Sequence, residues 1–572
     1  MPRSSDIVPP PASASASRNS ASRVPVLIVG AGPVGLSLAL GLAAHQVPSR
    51  VVETHGRDDP ALRVGSRAIC FQRDVLDILA RLGVANRLLA EGVTWTTART
   101  YYREHEVRTV SFDPDPAAAT GAQPSTRMLP PWINISQARV HEELLHAAER
   151  SPLVEVWDRH RFTELVQDDT GVTAQVIDPD GHQISLAAEY LVGADGARSA
   201  VRRSLGIDFP GDSFDDRFLI CDIRADLPFP QERRFYFDPE WNPGRQVLVH
   251  QCPERTWRID WQVPADYDLE AERDSGGLDQ RIRKIVGDRP YEVVWTSVYR
   301  FHQRCAERFR QGRVFLAGDA AHLFAPFGAR GLNSGFQDAD NLAWKLAAVH
   351  TGWRLDTVSQ SEAAEAVLAS YETERRSAAQ ENLRVTSATM RFLVPQNAEQ
   401  RRYRQETLHR SVTDPQARAR IDSGTLAEPH PYTDSPLTRP ADIAAEPEPV
   451  APGAILPDAP CQLHRESHRL RYLLRGTFTL LLPDRRHADR HTDALSAAGP
   501  YTPPVAVRCV SELDPDGLLA QRLHLGPGCA YVVRPDAHVC AVVAEDDTAA
   551  VRAALARACG RVHEELVRDS QP

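Results

Sequence analysis

Paired cysteines are missing. The 572-residue chain has nine cysteines, at 70, 221, 252, 305, 461, 509, 529, 540 and 559, and none stands in a C-x-x-C pair. An odd, scattered set argues against a zinc knuckle or other metal site, a redox dithiol and a secreted disulfide framework. A cytoplasmic protein is expected. Runs of basic residues are also missing. Lys+Arg is 66 against Asp+Glu 76, a formal net charge of −10. Such a chain repels phosphate polymers, so no nucleic-acid partner is expected. Long apolar runs reduce to one. Val24 to Ala44 carries no charge, but Pro25, Gly30, Gly32, Pro33, Gly35 and Gly41 interrupt it. It reads as strand, tight turn and buried helix, not as a membrane span. The residues before it, 1–23, are rich in Ser, Ala and Pro and lack the apolar core of a signal peptide; they read as a disordered tail.

What is present is an ordinary globular composition, 42% hydrophobic and 25% charged. The length predicts roughly three to five domains. Forty-three prolines point to long loops and linkers. Val26-Leu27-Ile28-Val29 reads as a buried parallel strand, followed by a helix from Leu36 to Ala44 and a strand at Arg50 to Glu53, a β-α-β unit. Helices are predicted over Asp74–Leu82 and Val140–Ala148, and a β pair around the Asp180-Gly181 turn. From Arg217 to Val298 the pattern changes to strands: Phe218–Ile223, Arg234–Phe237, Gln246–His250 and Thr256–Val263. These predict a mostly antiparallel sheet inserted between parts of the first domain. Val314–Ala317 returns to the buried-strand pattern, and long helices follow at about Asn333–Val349 and Ser361–Arg391. Residues 426–453, with repeated Pro, Glu, Thr and Ser, read as a linker. Residues 454–572 form a compact segment with strands at Thr477–Leu482, Val505–Val510 and Cys529–Val533 and a last helix at Thr548–Val567.

Three motifs carry chemistry. Gly30-Ala31-Gly32-Pro33-Val34-Gly35 is G-x-G-x-x-G between a strand and a helix. Gly30 permits the tight turn, Gly32 lets the backbone approach a pyrophosphate, and Gly35 lets helix and strand pack. The helix N-terminus offers free N–H groups to the anion. Glu53, at the end of the next strand, is placed to accept hydrogen bonds from an adenosine ribose. Gly193-Ala194-Asp195-Gly196 follows an apolar strand; alone, Asp-Gly is an ordinary turn pair. Gly318-Asp319 follows another strand, and Pro326-Phe327-Gly328-Ala329-Arg330-Gly331-Leu332-Asn333 leads into a helix. A carboxylate at a strand end beside a glycine-rich helix start can hold a polyol hydroxyl and cover a ring with backbone N–H groups.

Together these segments resemble the single-component FAD-dependent aromatic hydroxylases, the class of para-hydroxybenzoate hydroxylase and phenol hydroxylase. The resemblance covers about residues 24–393. It implies that Gly30, Gly32, Pro33, Val34, Gly35 and Glu53 bind the ADP half of FAD. It also implies that Arg67 and Gln137 lie along the cofactor and that Asp195 sits near FAD and the nicotinamide path. Gly318 and Asp319 would hold the ribityl chain, and Pro326 with Gly331-Leu332-Asn333 would abut the isoalloxazine. Asp338 to Leu346 is family-like and reads as structural. Residues 454–572, through Val532-Val533-Arg534-Pro535-Asp536, resemble the thioredoxin-like extension of phenol hydroxylase relatives, without its paired thiols. One departure is clear. Family members often have Gly-Gln-Gly where this chain has Ala329-Arg330-Gly331, which brings a cation to the flavin or the substrate entrance.

The implied fold is α/β: a Rossmann-like FAD-binding domain (24–212 and 299–395) with an inserted, mostly antiparallel substrate sheet (213–298). Part of 90–135 is able to join the sheet. A helical and Pro-rich linker (396–453) and a thioredoxin-like C-terminal domain (454–572) follow. The implied activity is a monooxygenase that hydroxylates a phenolic or other electron-rich aromatic with NADPH or NADH and O2. Alternatives are an epoxidase or Baeyer–Villiger oxygenase on a polyketide, or a flavin oxidase or reductase. Arg330, Tyr236 and His250 are the candidate catalytic residues, with Arg258 and Trp261 as further pocket candidates. Arg330 is a candidate to clamp a substrate carboxylate in two-point geometry or to favour the anionic reduced flavin. Partners are a small aromatic substrate and O2, with no membrane; a homodimer is compatible with the sequence.

Overall fold

A computed structural model of the chain describes residues 23–561, apart from 58, 60–67, 113–127, 353–359, 442, 444–447, 498–504 and 515–516. The tail expected before Arg23, the candidate Arg67 and the predicted end of the last helix lie outside the described residues.

The first layer is a sheet built on Val24–Val29, an apolar run that only buried parallel strands use. It pairs in parallel with Ser49–Val52 and with Gln183–Gly193. Val154–Trp157 and Val314–Leu316 extend the sheet, again in parallel, on its two sides. The hairpin predicted at Asp180-Gly181 is present: Val172–Ile177 pairs antiparallel with Gln183–Gly193, and Arg161–Gln167 continues the meander. Helices Pro33–Ala44 and Gly331–Thr351 pack together closely, since a Cβ on Gly41 would come within 2.9 Å of the Ala343 methyl.

The second layer is an eight-stranded sheet in the order His322–Leu323, Tyr291–Cys305, Gly211–Ala225, Thr256–Val263, Gln246–Gln251, Arg233–Phe237, Thr97–Tyr102 and His105–Ser111. All neighbours are antiparallel except Arg233–Phe237 with Thr97–Tyr102. Residues around 97–111 thus join this sheet. Side chains alternate across it. Leu219, Cys221, Val247, Ile259 and Trp261 share one hydrophobic cluster with Leu278, Ile282 and Val286 of helix Gly277–Val286. Phe218, Ile220, Leu248, Arg258 and Asp260 face the other way, toward the first layer.

In the C-terminal unit Phe478–Leu482 runs parallel to Val505–Cys509 and antiparallel to Cys529–Val533, which carries Val539–Ala544. Its alternating side chains feed two cores. One includes Leu495, Val551, Leu555 and Trp344 of the first layer's helix; the other includes Leu470, Leu474, Leu513 and Leu519. The segment read as a linker is packed, not loose. Tyr432, Ser435 and Leu437 are buried. The Tyr432 Oη accepts a hydrogen bond from Arg375 at 2.9 Å, and Ser435 Oγ donates to Glu374 at 2.5 Å.

A buried ion cluster joins the C-terminal unit to the first layer. Glu374 accepts hydrogen bonds from Arg534 at 2.6 and 2.9 Å, from Lys345 at 2.7 Å and from Asn341 at 2.7 Å. Arg534 also reaches Asp536 at 2.6 Å. Burial pushes the Glu374 carboxyl upward, but the Arg534 and Lys345 charges override it and hold the group well below the usual carboxylate range. Removing one member of such a cluster strands the others in a dry interior. Glu374→Ala should therefore cost about 3–5 kcal/mol, read as a lower urea midpoint of unfolding. The depressed carboxyl stabilises fully above an unfolded pKa of about 4.3 and loses that contribution as pH falls. Wild type and variant should accordingly converge in acid; equal midpoints at neutral pH would contradict the network.

Candidate active site

The glycine loop is shaped by close approach. Gly30 has φ +107°, and a Cβ there would collide with the Ala194 carbonyl; one on Gly35 would collide with the Gly30 carbonyl. Gly32 is different. It has ordinary φ −67°, and a Cβ there would meet nothing within 4 Å. The space beside it is open. Gly32 is also the N-cap of Pro33–Ala44, which has no side-chain cap, so the helix end keeps N–H groups for an anion. Glu53 braces this loop: its Oε2 accepts from Ala31 N at 2.8 Å and its Oε1 from His55 N at 2.9 Å.

A second uncapped helix end faces the first. Gly331–Thr351 starts without a side-chain cap, and a Cβ on Gly331 would again find nothing within 4 Å. Asn333 fixes this end by donating to Cys70 O at 2.9 Å and to Ala329 O at 2.6 Å. Ala329 takes a left-handed φ of +55°. The turn Gly318–Ala320 follows strand Val314–Leu316 and presents an exposed Asp319. Asp195 lies between the cavity residues Ala194 and Gly196. Its Oδ2 accepts from Ala200 N at 2.6 Å and Val201 N at 3.1 Å, so it caps the short helix Ala200–Ser204. Burial raises its pKa. Gln137 accepts from Ala68 N at 3.3 Å.

These parts surround one cavity of about 350 Å³. Of the residues expected at the cofactor, Gly32, Pro33, Val34, Gln137, Asp319, Pro326, Gly331, Leu332 and Asn333 line it. Gly30, Gly35, Glu53, Asp195 and Gly318 stand just behind and shape it. The far wall is aromatic and aliphatic: Phe218, Phe301, Phe324 and Phe327 with Ile220 and Leu248. Phe218 stacks on Phe301 at 4.7 Å between ring centres. A larger cavity of about 510 Å³, between Trp132, Arg233, Thr425 and Arg471, touches none of the glycine segments.

The candidate catalytic residues divide. His250 lines the cavity. Burial, reinforced by Arg233 and Arg258, holds its pKa well below the usual imidazole value, so it is neutral at pH 7. Tyr236 is not a cavity residue. It sits on the opposite face of the sheet, stacked on Tyr101 at 4.8 Å between ring centres, because Phe235 and Phe237 take the inward positions of its strand. Trp261 is core on that same outer face. Arg330 reaches the cavity wall, but its fork is engaged. Its Nη1 donates to Asn382 at 2.5 Å and its Nη2 to Thr425 O at 3.1 Å. Both Nη groups are thus committed to Asn382 and the 425–426 backbone, while the buried Nε has no hydrogen-bond partner among the described residues. Sequence reading overlooked Cys70 and Asp260. The alternation of Thr256–Val263 carried the second signal, since Arg258 and Asp260 must share a face.

Residues 23–386 match the family described as FAD binding domain. A 3-(3-hydroxy-phenyl)propionate/3-hydroxycinnamic acid hydroxylase of Mycolicibacterium smegmatis (strain ATCC 700084 / mc(2)155) is 32% identical over 382 residues, 66% of this chain and 63% of that relative. The chain thus spans less than two thirds of that relative's length. A solved structure of aklavinone-11 hydroxylase with FAD and aklavinone is 27% identical, with a TM-score of 0.72, covering 95% of this chain and 100% of that one. The flavin-dependent monooxygenase PieE, solved with FAD and substrate, has the same fold at 24% identity, with a TM-score of 0.76 over 94% of this chain and 99% of its own. The matched segment holds the glycine loop, the Asp195 turn and the Gly318–Asn333 loop in one run, and the chain belongs to the FAD-binding-domain family.

Proposed function

We propose that the protein is a FAD-dependent monooxygenase that hydroxylates a phenolic or other electron-rich aromatic substrate, using NADPH or NADH and O2. The observation that carries this reading is the meeting of two uncapped helix ends with one aromatic-walled cavity. When bound, FAD supplies the redox chemistry, taking electrons from the nicotinamide and delivering one oxygen atom of O2 to the ring. The chain's own residues position and exclude. The open space at Gly32 admits a pyrophosphate against backbone N–H groups, and Glu53 holds the loop that offers them. Asp319 would hold a ribityl hydroxyl, and the N–H groups at Gly331 to Asn333 would meet the flavin ring. Phe218, Phe301 and Phe327 keep water from the reacting ring.

The division of labour follows the two layers. Residues 24–212 and 299–395 form the FAD-binding domain; 213–298, with the strands near 97–111, form the substrate sheet; 396–453 connect to 454–572. We read the last unit as thioredoxin-like, on its four-stranded order and its covering helices, and as structural. All nine cysteines are free thiols, eight of them buried, which favours a reducing, cytoplasmic setting.

Three outcomes test this reading. Gly32→Val should fold normally, because the structure leaves room for the side chain, yet purify without FAD; wild-type flavin occupancy would refute the pyrophosphate site. Asp319→Ala should weaken FAD binding about 10- to 150-fold by flavin titration, the loss of one charge-assisted hydrogen bond. In the wild-type holoenzyme phenols should accelerate NAD(P)H oxidation and gain one oxygen atom by mass. Acceleration that yields only hydrogen peroxide would favour an oxidase.

A further inference from the structure

One side chain on the cavity face of the second sheet has no structural explanation. Asp260 lies in Thr256–Val263 directly between Ile220 on one neighbouring strand and Leu248 on the other. Neither can donate a hydrogen bond. The Asp260 Oδ1 is buried and has no hydrogen-bond partner among the described residues. Leaving such an atom unpaired is costly, and a native structure keeps one where something else satisfies it.

The charged and titratable groups around it do not supply that partner. In the next row Arg258 is bound to Asp222 through Nε–Oδ1 at 2.8 Å and Nη2–Oδ2 at 3.0 Å. Arg233 donates to Ser423 O at 2.6 Å. His250 is neutral. Burial raises the Cys70 and Cys252 thiols far enough to keep them protonated. Burial also pushes the Asp260 carboxyl up to about 7, with Asp222 adding to the rise and Arg258 and Arg233 opposing it. Both of its protonation states are therefore accessible near neutral pH, which suits a proton acceptor.

Resting on the hydroxylase reading above, we infer that Asp260 binds the hydroxyl of the aromatic substrate and takes its proton. The substrate O–H bond breaks and an O–H bond forms on the carboxylate. The electron pair stays on the substrate oxygen, where it enriches the ring for oxygen transfer. The proton passes to solvent once product has left. A hydroxyl on an otherwise apolar ring fits a site whose wall is aromatic and aliphatic and whose sheet face holds a carboxylate oxygen without a donor.

The test uses the FAD-loaded full chain and a panel of phenols that includes 3-hydroxycinnamate, each compared with its methyl ether, which has no proton to give. NAD(P)H oxidation by the wild type should be stimulated by a phenol and not by its ether. Its kcat/KM should fall as pH drops through the pKa of an acid near 7, because only the carboxylate accepts a proton. Asp260→Asn should keep its FAD content but lose about 10²-fold in kcat/KM for the phenol, a usual loss for a missing general base, and should lose the acid limb. Asp260→Glu should restore part of both. If Asp260→Asn keeps wild-type kcat/KM and the same limb, the inference is overturned and the hydroxylase reading stands. If no phenol or ether stimulates the wild type, the hydroxylase reading itself falls and takes the inference with it.

Discussion

The buried carboxylate of Asp338 sets the geometry of the cofactor end of the molecule. It sits in helix Gly331–Thr351 with no solvent exposure. Its Oδ2 accepts from Gly318 N at 2.9 Å and from His322 Nε2 at 2.7 Å, and its Oδ1 from Arg375 Nε at 2.7 Å. Burial alone would raise this group; His322 and Arg375 outweigh it and keep the carboxyl below its ordinary value. Through these bonds one side chain fixes the turn that carries Asp319 against the helix whose first turn faces the cavity. Three and seven residues on, Asn341 and Lys345 continue the same helical stripe to Glu374. Trp344 Nε1 adds a bond to Asp536 at 3.2 Å, and Asp340 pairs with Arg475 of the C-terminal unit. Replacing such a network by apolar side chains can be neutral in stability. What it specifies is register: the C-terminal unit meets this helix in one position, and the helix meets the Gly318 turn in one position.

The second sheet solves a different problem, that of offering one face to a core and the other to a ligand. Period-two alternation does this at no extra cost in backbone. The Trp257, Ile259 and Trp261 face fills the outer core, while the Arg258 and Asp260 face closes the cavity. Polar groups on the ligand face must then be neutralised or used. Asp222, Arg258 and His250 lie in one cross-strand row, and within that row the charges cancel and the imidazole is neutral. On this face the Asp260 carboxylate is left between the apolar Ile220 and Leu248.

Much of this was legible from residues alone. The observed strands Thr256–Val263 and Cys529–Val533 match the predicted bounds to the residue, because strict alternation in the first and an apolar run in the second leave little choice. The glycine loop was legible because the left-handed φ at Gly30 and the close approach of Gly35 to the Gly30 carbonyl both call for glycine. Two kinds of information were not local. Arg258 and Trp261 are both pocket candidates by residue type, yet residues three apart in a strand face opposite ways, and only the tertiary packing says which face is inward. Arg330 was read from the charge it brings, whereas its partners, Asn382 and the Thr425 carbonyl, are distant in sequence. Residues 426–453 looked like a linker by composition, but Tyr432 and Ser435 find buried partners on a helix whose position no local pattern reveals.

The placement of positive potential gives the cofactor end its character. The chain is net negative and has two lysines, Lys284 and Lys345, one on an outer helix and one buried against Glu374. Among the described residues the cationic side chains lining the cavity are Arg258 and Arg330. Asp222 neutralises the first, and the second is spent on an amide and backbone carbonyls. In the proposed reading an anionic pyrophosphate would be met by peptide N–H groups at the start of Pro33–Ala44, where the helix dipole adds its partial charge. Peptide donors carry no flexible stem, so they are already aimed when the ligand arrives and lose no side-chain entropy. They are reached only where no Cβ stands in the way, and Gly32 and Gly331, glycines at two helix ends on the cavity, have open space beside them. Dipoles of this kind act within the first turn, at short range and away from bulk water, so mobile ions screen them less than they would a ring of surface lysines. The geometry that presents these N–H groups is what the Asp338 and Glu53 carboxylates hold in place.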